Sequence, residues 1–181
     1  AWAVAAIKEE SVVLDIGTGS GCLAVSVAVH AGETTIHALD ISSAAINVAR
    51  ANAERHGVAE RIIFHEGDAR VALPGTCLFD VIVSNPPYIP SAEIESLQIE
   101  VRDHDPHLAL DGGLDGLEFY RSLAVSCLSR LRSDGRLLLE VGDGQGEVVA
   151  DLITAQGGRV LEILPDLNNI ERIVVASSDN S

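Results

Sequence analysis

The residues with the clearest chemical potential are Asn85, Pro86, Pro87 and Tyr88, which follow a short apolar run at residues 79–84. Proline fixes φ and carries no N–H, and Pro86 also restricts Asn85 to an extended backbone. The loop therefore presents acceptors on a rigid frame: the Asn85 side-chain oxygen and the Pro86 carbonyl can each accept one hydrogen of an NH2 group, while Tyr88 can stack on a planar target. All four are candidate substrate-binding residues, and Asn85, Pro86 and Tyr88 are the candidate catalytic ones. The alternative is a turn that only ends a strand.

The first apolar run is followed directly by the segment Asp15-Ile16-Gly17-Thr18-Gly19-Ser20-Gly21. Glycine lets the backbone turn sharply and approach a ligand without obstruction by a Cβ atom. Such a turn between a strand and a helix favours a nucleotide-like ligand lying across it. The G-x-G-x-G spacing differs from the G-x-G-x-x-G of dinucleotide-binding proteins, which argues against a dinucleotide. The alternative is a glycine-rich turn with packing duties alone.

Two further carboxylates follow the next two apolar runs of the chain. Asp40 lies where an acid can accept both hydroxyls of a ribose. Asp68 can accept a hydrogen bond from the exocyclic amine of adenine, while Ile41 and Ala69 offer apolar faces to the ring. Either aspartate alone is more often a turn or capping residue, but the combination predicts a nucleoside site. The candidate cofactor-binding residues are Asp15, Gly17, Thr18, Gly19, Gly21, Asp40, Ile41, Asp68, Ala69 and Asn85.

The elements that must position these residues alternate between short apolar runs and longer helical patterns. Strands are predicted at residues 12–16, 35–39, 61–65, 80–83, 136–141, 159–164 and 172–176. Helices are predicted at 22–30, from Ser42 or Ser43 to Gly57, and at 118–131. This alternation predicts an α/β fold with a mostly parallel sheet covered by helices on both faces. The connection at 165–171 is too short for a helical crossover, so the closing pair of strands is expected to be antiparallel.

The composition favours one compact domain in a reducing compartment. The chain has 181 residues, and its formal charge of -15 opposes an extended grip on a nucleic-acid backbone. Cys22, Cys77 and Cys127 are odd in number and far apart, which predicts a cytoplasmic protein without a disulfide framework. No apolar run has the roughly 18–20 residues of a membrane span. The sequence contains no Met, which leaves two alternatives open: a removed initiator or a fragment of a longer protein.

With these motifs, the chain resembles class I S-adenosylmethionine-dependent methyltransferases of the amino-group type. Residues 100–117, Glu-Val-Arg-Asp-His-Asp-Pro-His-Leu-Ala-Leu-Asp-Gly-Gly-Leu-Asp-Gly-Leu, resemble the segment after the Asn-Pro-Pro-Tyr motif in the peptide-chain release factor glutamine methyltransferases. The resemblance continues through Leu-Leu-Glu-Val-Gly at 138–142 and covers roughly residues 12–176. The long non-periodic stretch at 85–116 fits a functional role, because long loops in compact domains usually carry function.

The resemblance implies a Rossmann-like domain of seven strands that uses S-adenosyl-L-methionine and releases S-adenosyl-L-homocysteine. The implied acceptor is the N5 nitrogen of a glutamine in the Gly-Gly-Gln loop of a class I peptide-chain release factor. The implied cofactor ligands are Gly17, Gly19, Asp40 and Asp68, with Asp15 near the methionine amino end; the implied amide ligands are Asn85, Pro86 and Tyr88. Displacement at a sulfonium methyl has a neutral leaving group, so positioning can supply roughly 7–11 kcal/mol of the barrier reduction.

The chain departs from the family pattern in three places. Members carry an N-terminal helical domain that helps to dock the release factor, followed by an acidic-threonine segment. Neither precedes Val12, so residues 1–181 are expected to form a single methyltransferase domain without the docking domain. Asp105 stands where a Glu-Pro pair is usual, and Asn168-Asn169 replaces the usual glycine. Because asparagine tolerates left-handed backbone, the last change is expected to be mild.

Three other functions remain as alternatives. The first is an N-methyltransferase acting on exocyclic amines of DNA or RNA bases, which would use the same acceptors and the same stacking ring. The second is a noncatalytic cofactor-binding module, which the loop at 85–88 disfavours. The third is a dinucleotide oxidoreductase, which the glycine spacing disfavours. No metal is expected, since the cluster Asp103, His104, Asp105, His107 and Asp111 fits no recognised ligand spacing.

Overall fold

The computed structural model describes residues 7, 8, 10–98 and 106–178. The helices are α1 (Cys22–His30), α2 (Ser43–Arg55), α3 (His107–Leu110), α4 (Glu118–Leu128) and α5 (Gly146–Ala155), and two short 3-10 helices cover Ala59–Arg61 and Ser91–Ser96. The strands are β1 (Val12–Ile16), β2 (Thr35–Asp40), β3 (Ile62–Glu66), β4 (Phe79–Ser84), β5 (Leu131–Glu140), β6 (Gly158–Pro165) and β7 (Glu171–Ser178). They form one sheet in the order β3-β2-β1-β4-β5-β7-β6. The predicted Rossmann-like, seven-stranded, mostly parallel sheet is confirmed.

Both faces of this sheet are buried, as the apolar sequence of its central strand requires. Val13 and Leu14 are successive residues of β1 that point to opposite faces, and both are 0% exposed. Leu14 belongs to the core that includes Leu123 of α4 and Ile153 of α5. The core around Val13 instead includes residues of α1 and α2. Helices therefore cover both faces, as predicted.

The two strands nearest the C-terminus form an antiparallel pair, which confirms the prediction from their short connection. β7 is also antiparallel to β5 and lies between β5 and β6. The connection contains Asn169, which has a φ of 68°. This left-handed conformation is one that asparagine tolerates, in agreement with the prediction for this position.

The boundary between α4 and β5 corrects the sequence prediction. The helix was expected to reach residue 131, but it ends at Leu128, and Leu131 already pairs with Phe79 of β4. Asp134 and Gly135 fall between the predicted helix at 118–131 and the predicted strand at 136–141, yet they lie within β5, where its register against β4 shifts. A Cβ atom at Gly135 would lie 2.9 Å from the Arg132 carbonyl oxygen. Pairing across the sheet thus outweighs the local helical pattern.

Other elements were not located from the sequence. The helix α5 was not predicted, and the stretch at 85–116 contains a 3-10 helix and the single turn α3. Within the described residues, no helix combines the length and the apolar character that a membrane crossing requires.

Candidate active site

The glycine loop, residues 17–21, lies over the carboxyl end of β2. The N–H groups of Gly17 and Thr18 both donate to the Leu39 carbonyl, at 2.8 and 3.0 Å. Gly17 and Gly19 have φ angles of 70° and 55°. A residue with a Cβ atom pays roughly 1–2 kcal/mol for this left-handed conformation. Glycine therefore permits the sharp turn that brings the backbone to the edge of the sheet.

Gly21 has a different role from the other glycines of the loop. It immediately precedes α1, and a Cβ atom there would lie 2.9 Å from the Cβ of Ala49 on α2. It does not line the large cavity described below. Its missing side chain lets α1 and α2 pack closely, which fixes the glycine loop against the second helix.

Asp15 lies beneath the glycine loop rather than on its ligand-facing side. Its side chain is 1% exposed, and its Oδ2 accepts hydrogen bonds from the Thr18 hydroxyl at 2.7 Å and from the Ala24 N–H at 3.1 Å. Burial raises the pKa of Asp15 to about 6, although both hydrogen bonds lower it. Asp15 and Thr18 thus hold the loop from below, and neither lines the large cavity.

Asp40 joins the glycine loop to the start of α2. Its Oδ2 accepts from the Gly19 N–H at 2.8 Å, and its Oδ1 accepts from the Ser42 N–H at 2.9 Å. A carboxylate oxygen has more than one acceptor direction, so both oxygens can still receive hydroxyl groups from the cavity that Asp40 lines. Ser42 also caps α2, because its hydroxyl accepts from the Ala45 N–H at 3.2 Å.

The glycine loop borders a cavity of about 570 Å³, called here the large cavity. This volume lies within the roughly 300–1,000 Å³ of typical small-molecule sites. Seven of the residues predicted from the sequence lie in its wall: Gly17, Gly19, Asp40, Ile41, Ala69, Asn85 and Pro87. The predicted nucleoside-binding residues and the predicted acceptor-binding residues Asn85 and Pro87 therefore line the same cavity.

Asp68 does not line the large cavity but lies in the wall of a smaller neighbouring cavity of about 150 Å³. The two cavities share Ile41, Leu108 and Phe119. The Arg70 guanidinium pairs with Asp68, with 2.8 Å between Nη2 and Oδ2, and this hydrogen-bonded pair holds the pKa of Asp68 below its usual value. Arg70 also lies over the Phe119 ring, 4.8 Å from its centroid.

The Asn-Pro-Pro-Tyr loop, residues 85–88, is also called the reaction loop below. It begins where β4 ends, at the carboxyl edge of the sheet. Asn85 is exposed and borders the large cavity, whereas Pro86 is buried, Tyr88 is half-buried, and neither lines it. A Cβ atom at Gly17 would lie 3.9 Å from the Asn85 carbonyl oxygen, so the two loops lie side by side. The Ser84 hydroxyl donates to the Ile16 carbonyl at 2.9 Å and ties the ends of β4 and β1 together.

The chain after Tyr88 is fixed by pairing with the last residue of α3 and with the residues just after it. The Ile89 N–H donates to the Leu110 carbonyl at 3.1 Å, and the Gly112 N–H donates back to the Ile89 carbonyl at 2.9 Å. A Cβ atom at Gly112 would lie 2.8 Å from the Tyr88 Cα. The stretch at 106–116 therefore packs against the reaction loop, and some of its residues also line the large cavity.

Several cavity residues were not identified from the sequence as site residues. Val48 of α2 is 50% exposed and Leu108 of α3 is 68% exposed, and both line the large cavity together with Phe119. The available signal was an apolar side chain at a helix position that the core does not cover. That signal alone does not separate a cavity wall from an ordinary surface residue.

The acidic and histidine-containing stretch is only partly within the described residues. Asp103, His104 and Asp105 lie outside them. His107 Nδ1 and Asp111 Oδ2 are 3.8 Å apart. Among the residues that the structure covers, no three His, Cys, Asp or Glu side chains are grouped as metal ligands would be.

Comparison with solved structures shows the fold. The ribosomal protein L11 methylase from Lactobacillus delbrueckii subsp. bulgaricus aligns with a TM-score of 0.70 at 19% identity, over 98% of this chain and 75% of that one. The [4+2]-cyclase SpnF also aligns with a TM-score of 0.70, at 14% identity, over 99% of this chain and 79% of that one. Since a cyclase and a methylase both match, the fold alone does not specify the reaction.

Relatives found by sequence comparison are more similar to this chain than these solved structures are. The release factor glutamine methyltransferase of Geobacter sulfurreducens is 44% identical over 162 residues, which are 90% of this chain and 56% of that protein. The protein of the same name from Gloeobacter violaceus is 48% identical over 165 residues, or 90% and 57% of the two chains. The chain thus spans just over half the length of these relatives. The family model of the methyltransferase small domain matches residues 4–114. The chain therefore belongs to the methyltransferase small domain family.

Proposed function

We propose that this domain binds S-adenosyl-L-methionine in the large cavity and transfers its methyl group to the side-chain nitrogen of a glutamine. The acceptor is the glutamine of the Gly-Gly-Gln motif in a class I peptide-chain release factor, and the reaction takes place in the cytoplasm. The observation that carries the proposal is the place of Asn85, which directly follows β4, borders the large cavity and lies beside the glycine loop. Relatives named release factor glutamine methyltransferase, at 40–48% identity, support this choice of acceptor.

The cofactor end of the site uses the glycine loop and the acids at the strand ends. Asp40 would receive the ribose hydroxyls, and the backbone at Gly17 and Gly19 would hold the methionine part. Ile41 and Ala69 enclose the adenine, because both are apolar and line the large cavity. Asp68, which Arg70 keeps ionised as an acceptor, would take the exocyclic amine of the adenine. Bound here, the cofactor supplies an electrophilic methyl group on a sulfonium.

Asp15, Thr18 and Gly21 act on the cofactor indirectly in this proposal. Asp15 and Thr18 fix the shape of the glycine loop from below. Gly21 lets the first two helices approach each other. Substitution at these positions should therefore weaken cofactor binding through the shape of the loop rather than through the loss of a direct contact.

The acceptor end of the site is the Asn-Pro-Pro-Tyr loop. The Asn85 side-chain oxygen and the Pro86 carbonyl accept the two hydrogens of the glutamine amide, so the nitrogen faces the large cavity. Pro87 lines the large cavity beside the acceptor, and Tyr88 stacks on the planar amide. An amide is a weak nucleophile, and its N–H groups become more positive as the new bond forms. Acceptors fixed in advance stabilise that charge more in the transition state than in the ground state.

Incubation with radiolabelled S-adenosyl-L-methionine tests the proposal. The acceptors, supplied separately, are a class I release factor, a Gly-Gly-Gln peptide and a mixture of DNA and RNA. We expect label on the release factor and on the peptide, with mass spectrometry placing one methyl group on the glutamine. The matched control is the same peptide with its glutamine replaced by asparagine. Label on nucleic acid alone would replace the proposal with methylation of base amines.

A further inference from the structure

Gln145 connects the reaction loop to the turn between β5 and α5. It lies immediately before α5 and is half-buried. Its Nε2 donates to the Tyr88 carbonyl at 3.0 Å, and its Oε1 accepts from the Gly142 N–H at 3.0 Å. The side-chain amide thus uses a donor and an acceptor at once, which neither a carboxylate nor an alkyl side chain can do at these two atoms.

The hydrogen bond from Gln145 to the Tyr88 carbonyl helps to fix the reaction loop, which has few backbone N–H donors of its own. Pro86 and Pro87 have no N–H, so the backbone between Asn85 and Tyr88 can be fixed only by its carbonyls, by side chains and by packing. The Tyr88 carbonyl comes directly after this proline pair. A donor at that carbonyl therefore sets the exit direction of the loop, and with it the position of the Tyr88 ring.

Two glycines leave room for the Gln145 amide. A Cβ atom at Gly142 would lie 2.8 Å from Oε1 of Gln145 and 3.0 Å from Cδ2 of the Tyr88 ring. A Cβ atom at Gly116 would lie 2.9 Å from Nε2 of Gln145. Side chains at either position would displace the amide or the tyrosine. The fold therefore contains a fitted place for a primary amide against the back of the reaction loop.

We infer that Gln145 is a positioning residue for the acceptor, acting through Tyr88 on the loop that holds the NH2 group. This inference rests on the proposed methyl transfer to an amide. Gln145 does not line the large cavity, so its effect falls on the acceptor and not on the cofactor. Small displacements of reacting groups reduce catalysis strongly, and about 1 Å can cost roughly 10²-fold.

The test compares Gln145→Glu with Gln156→Glu. Both changes replace an amide by a carboxylate of the same shape, but Gln156 is exposed at the opposite end of α5 and lies away from the loop. For Gln145→Glu we expect kcat/KM for a Gly-Gly-Gln peptide to fall by roughly 10- to 100-fold. The Kd for S-adenosyl-L-homocysteine should stay within about twofold, because that site is separate. Gln156→Glu should resemble the parent protein in both measurements. An equal loss of S-adenosyl-L-homocysteine affinity in Gln145→Glu would overturn the inference.

A double variant tests whether Gln145 acts through the loop. If it does, adding Gln145→Glu to Asn85→Ala should lower kcat/KM by less than about threefold, since coupled residues are not additive. Multiplied losses would show that the two residues act independently and would overturn the inference.

A third measurement does not depend on activity. The chain contains two tyrosines, and Tyr120 is fully buried with its hydroxyl bonded to the Glu140 carbonyl. In ring-labelled protein, Gln145→Glu should move and broaden the NMR signals of Tyr88 and leave those of Tyr120 in place. Unchanged Tyr88 signals would overturn the inference even if the acceptor were a nucleic-acid base. If the Tyr88 signals shift in Gln145→Glu but the parent protein does not methylate glutamine, only the proposed acceptor would be rejected.

Discussion

Asp15 and Asp40 lie at the carboxyl ends of neighbouring strands, as the penultimate residue of β1 and the last residue of β2, but their surroundings give them different roles. Asp15 is fully enclosed and receives two hydrogen bonds on one oxygen. Asp40 receives one backbone N–H on each oxygen and faces the large cavity. The first is suited to holding a loop and the second to receiving a ligand. Both positions show the same residue type in the sequence, so burial decides between the two roles.

The raised pKa of Asp15 leads to a prediction about stability and pH. Its pKa is about 6 in the folded protein and 3.8 in the unfolded chain, so the folded protein binds more protons between these values. The contribution of Asp15 to stability is therefore fully present below about pH 4 and is lost as pH rises through 6. Urea unfolding should show the parent losing roughly 3 kcal/mol relative to Asp15→Asn between pH 4 and 7. A difference between the two proteins that stays constant over this range would contradict the assignment.

Asn85 leads to a prediction about catalysis. Asn85→Ala removes one acceptor from the NH2 group but leaves the proline pair and the other residues that line the large cavity. By comparison with the loss of one fixed hydrogen bond in other active sites, turnover should fall by roughly 10² to 10³. Single-turnover kinetics would measure this loss, and calorimetry with S-adenosyl-L-homocysteine should give nearly the parent affinity. Unchanged turnover would remove Asn85 from the mechanism.

At the scale of elements, the packing of α1 against α2 helps to fix the position of the glycine loop. Gly21 immediately precedes α1 in a left-handed conformation, and a Cβ atom there would overlap Ala49 across the helix interface. The Asn52 side chain of α2 also donates to the Ser20 carbonyl at 2.9 Å. The two helices thus hold the loop from the side while Asp15 holds it from below.

Gly21→Ala and Gly57→Ala separate backbone strain from packing. Both glycines have left-handed φ angles, of 79° and 68°. A Cβ at Gly57 meets nothing within 4 Å, whereas one at Gly21 overlaps Ala49. Strain alone should make Gly57→Ala less stable by about 1–2 kcal/mol, and the added overlap should make Gly21→Ala less stable by about 2–4 kcal/mol. Chemical denaturation measures both variants, and equal losses would show that the helix contact relaxes freely.

At the scale of the whole molecule, the large cavity is built by segments far apart in the chain. The glycine loop, α2, the Asn-Pro-Pro-Tyr loop and the start of α4 all contribute to its wall. A ligand bound there contacts all of these segments at once, and it does so only when the chain is folded. Ligand binding should therefore stabilise the entire domain rather than one loop.

Thermal unfolding tests this coupling. S-adenosyl-L-homocysteine at 100 times its Kd should add about 2.7 kcal/mol, which raises Tm by roughly 5–10 °C in a domain of this size. NAD at the same concentration should leave Tm unchanged, because the glycine spacing does not suit a dinucleotide. Asp40→Ala should reduce the shift, whereas Asp151→Ala, on the exposed side of α5, should retain it. A shift with NAD as large as that with S-adenosyl-L-homocysteine would reject the proposed cofactor.

The sequence by itself determined the features that depend on neighbouring residues: the seven apolar runs, the glycine turn after Ile16 and the rigid loop that begins at Asn85. These are local because propensity, glycine and proline act within a few residues. Only the tertiary structure decided that β7 lies between β5 and β6, that Asp15 is buried under its loop, and that Gln145 reaches the Tyr88 carbonyl. Each of these depends on contacts between residues distant in the chain. Burial and packing against such partners, rather than any local pattern, determine where those side chains lie.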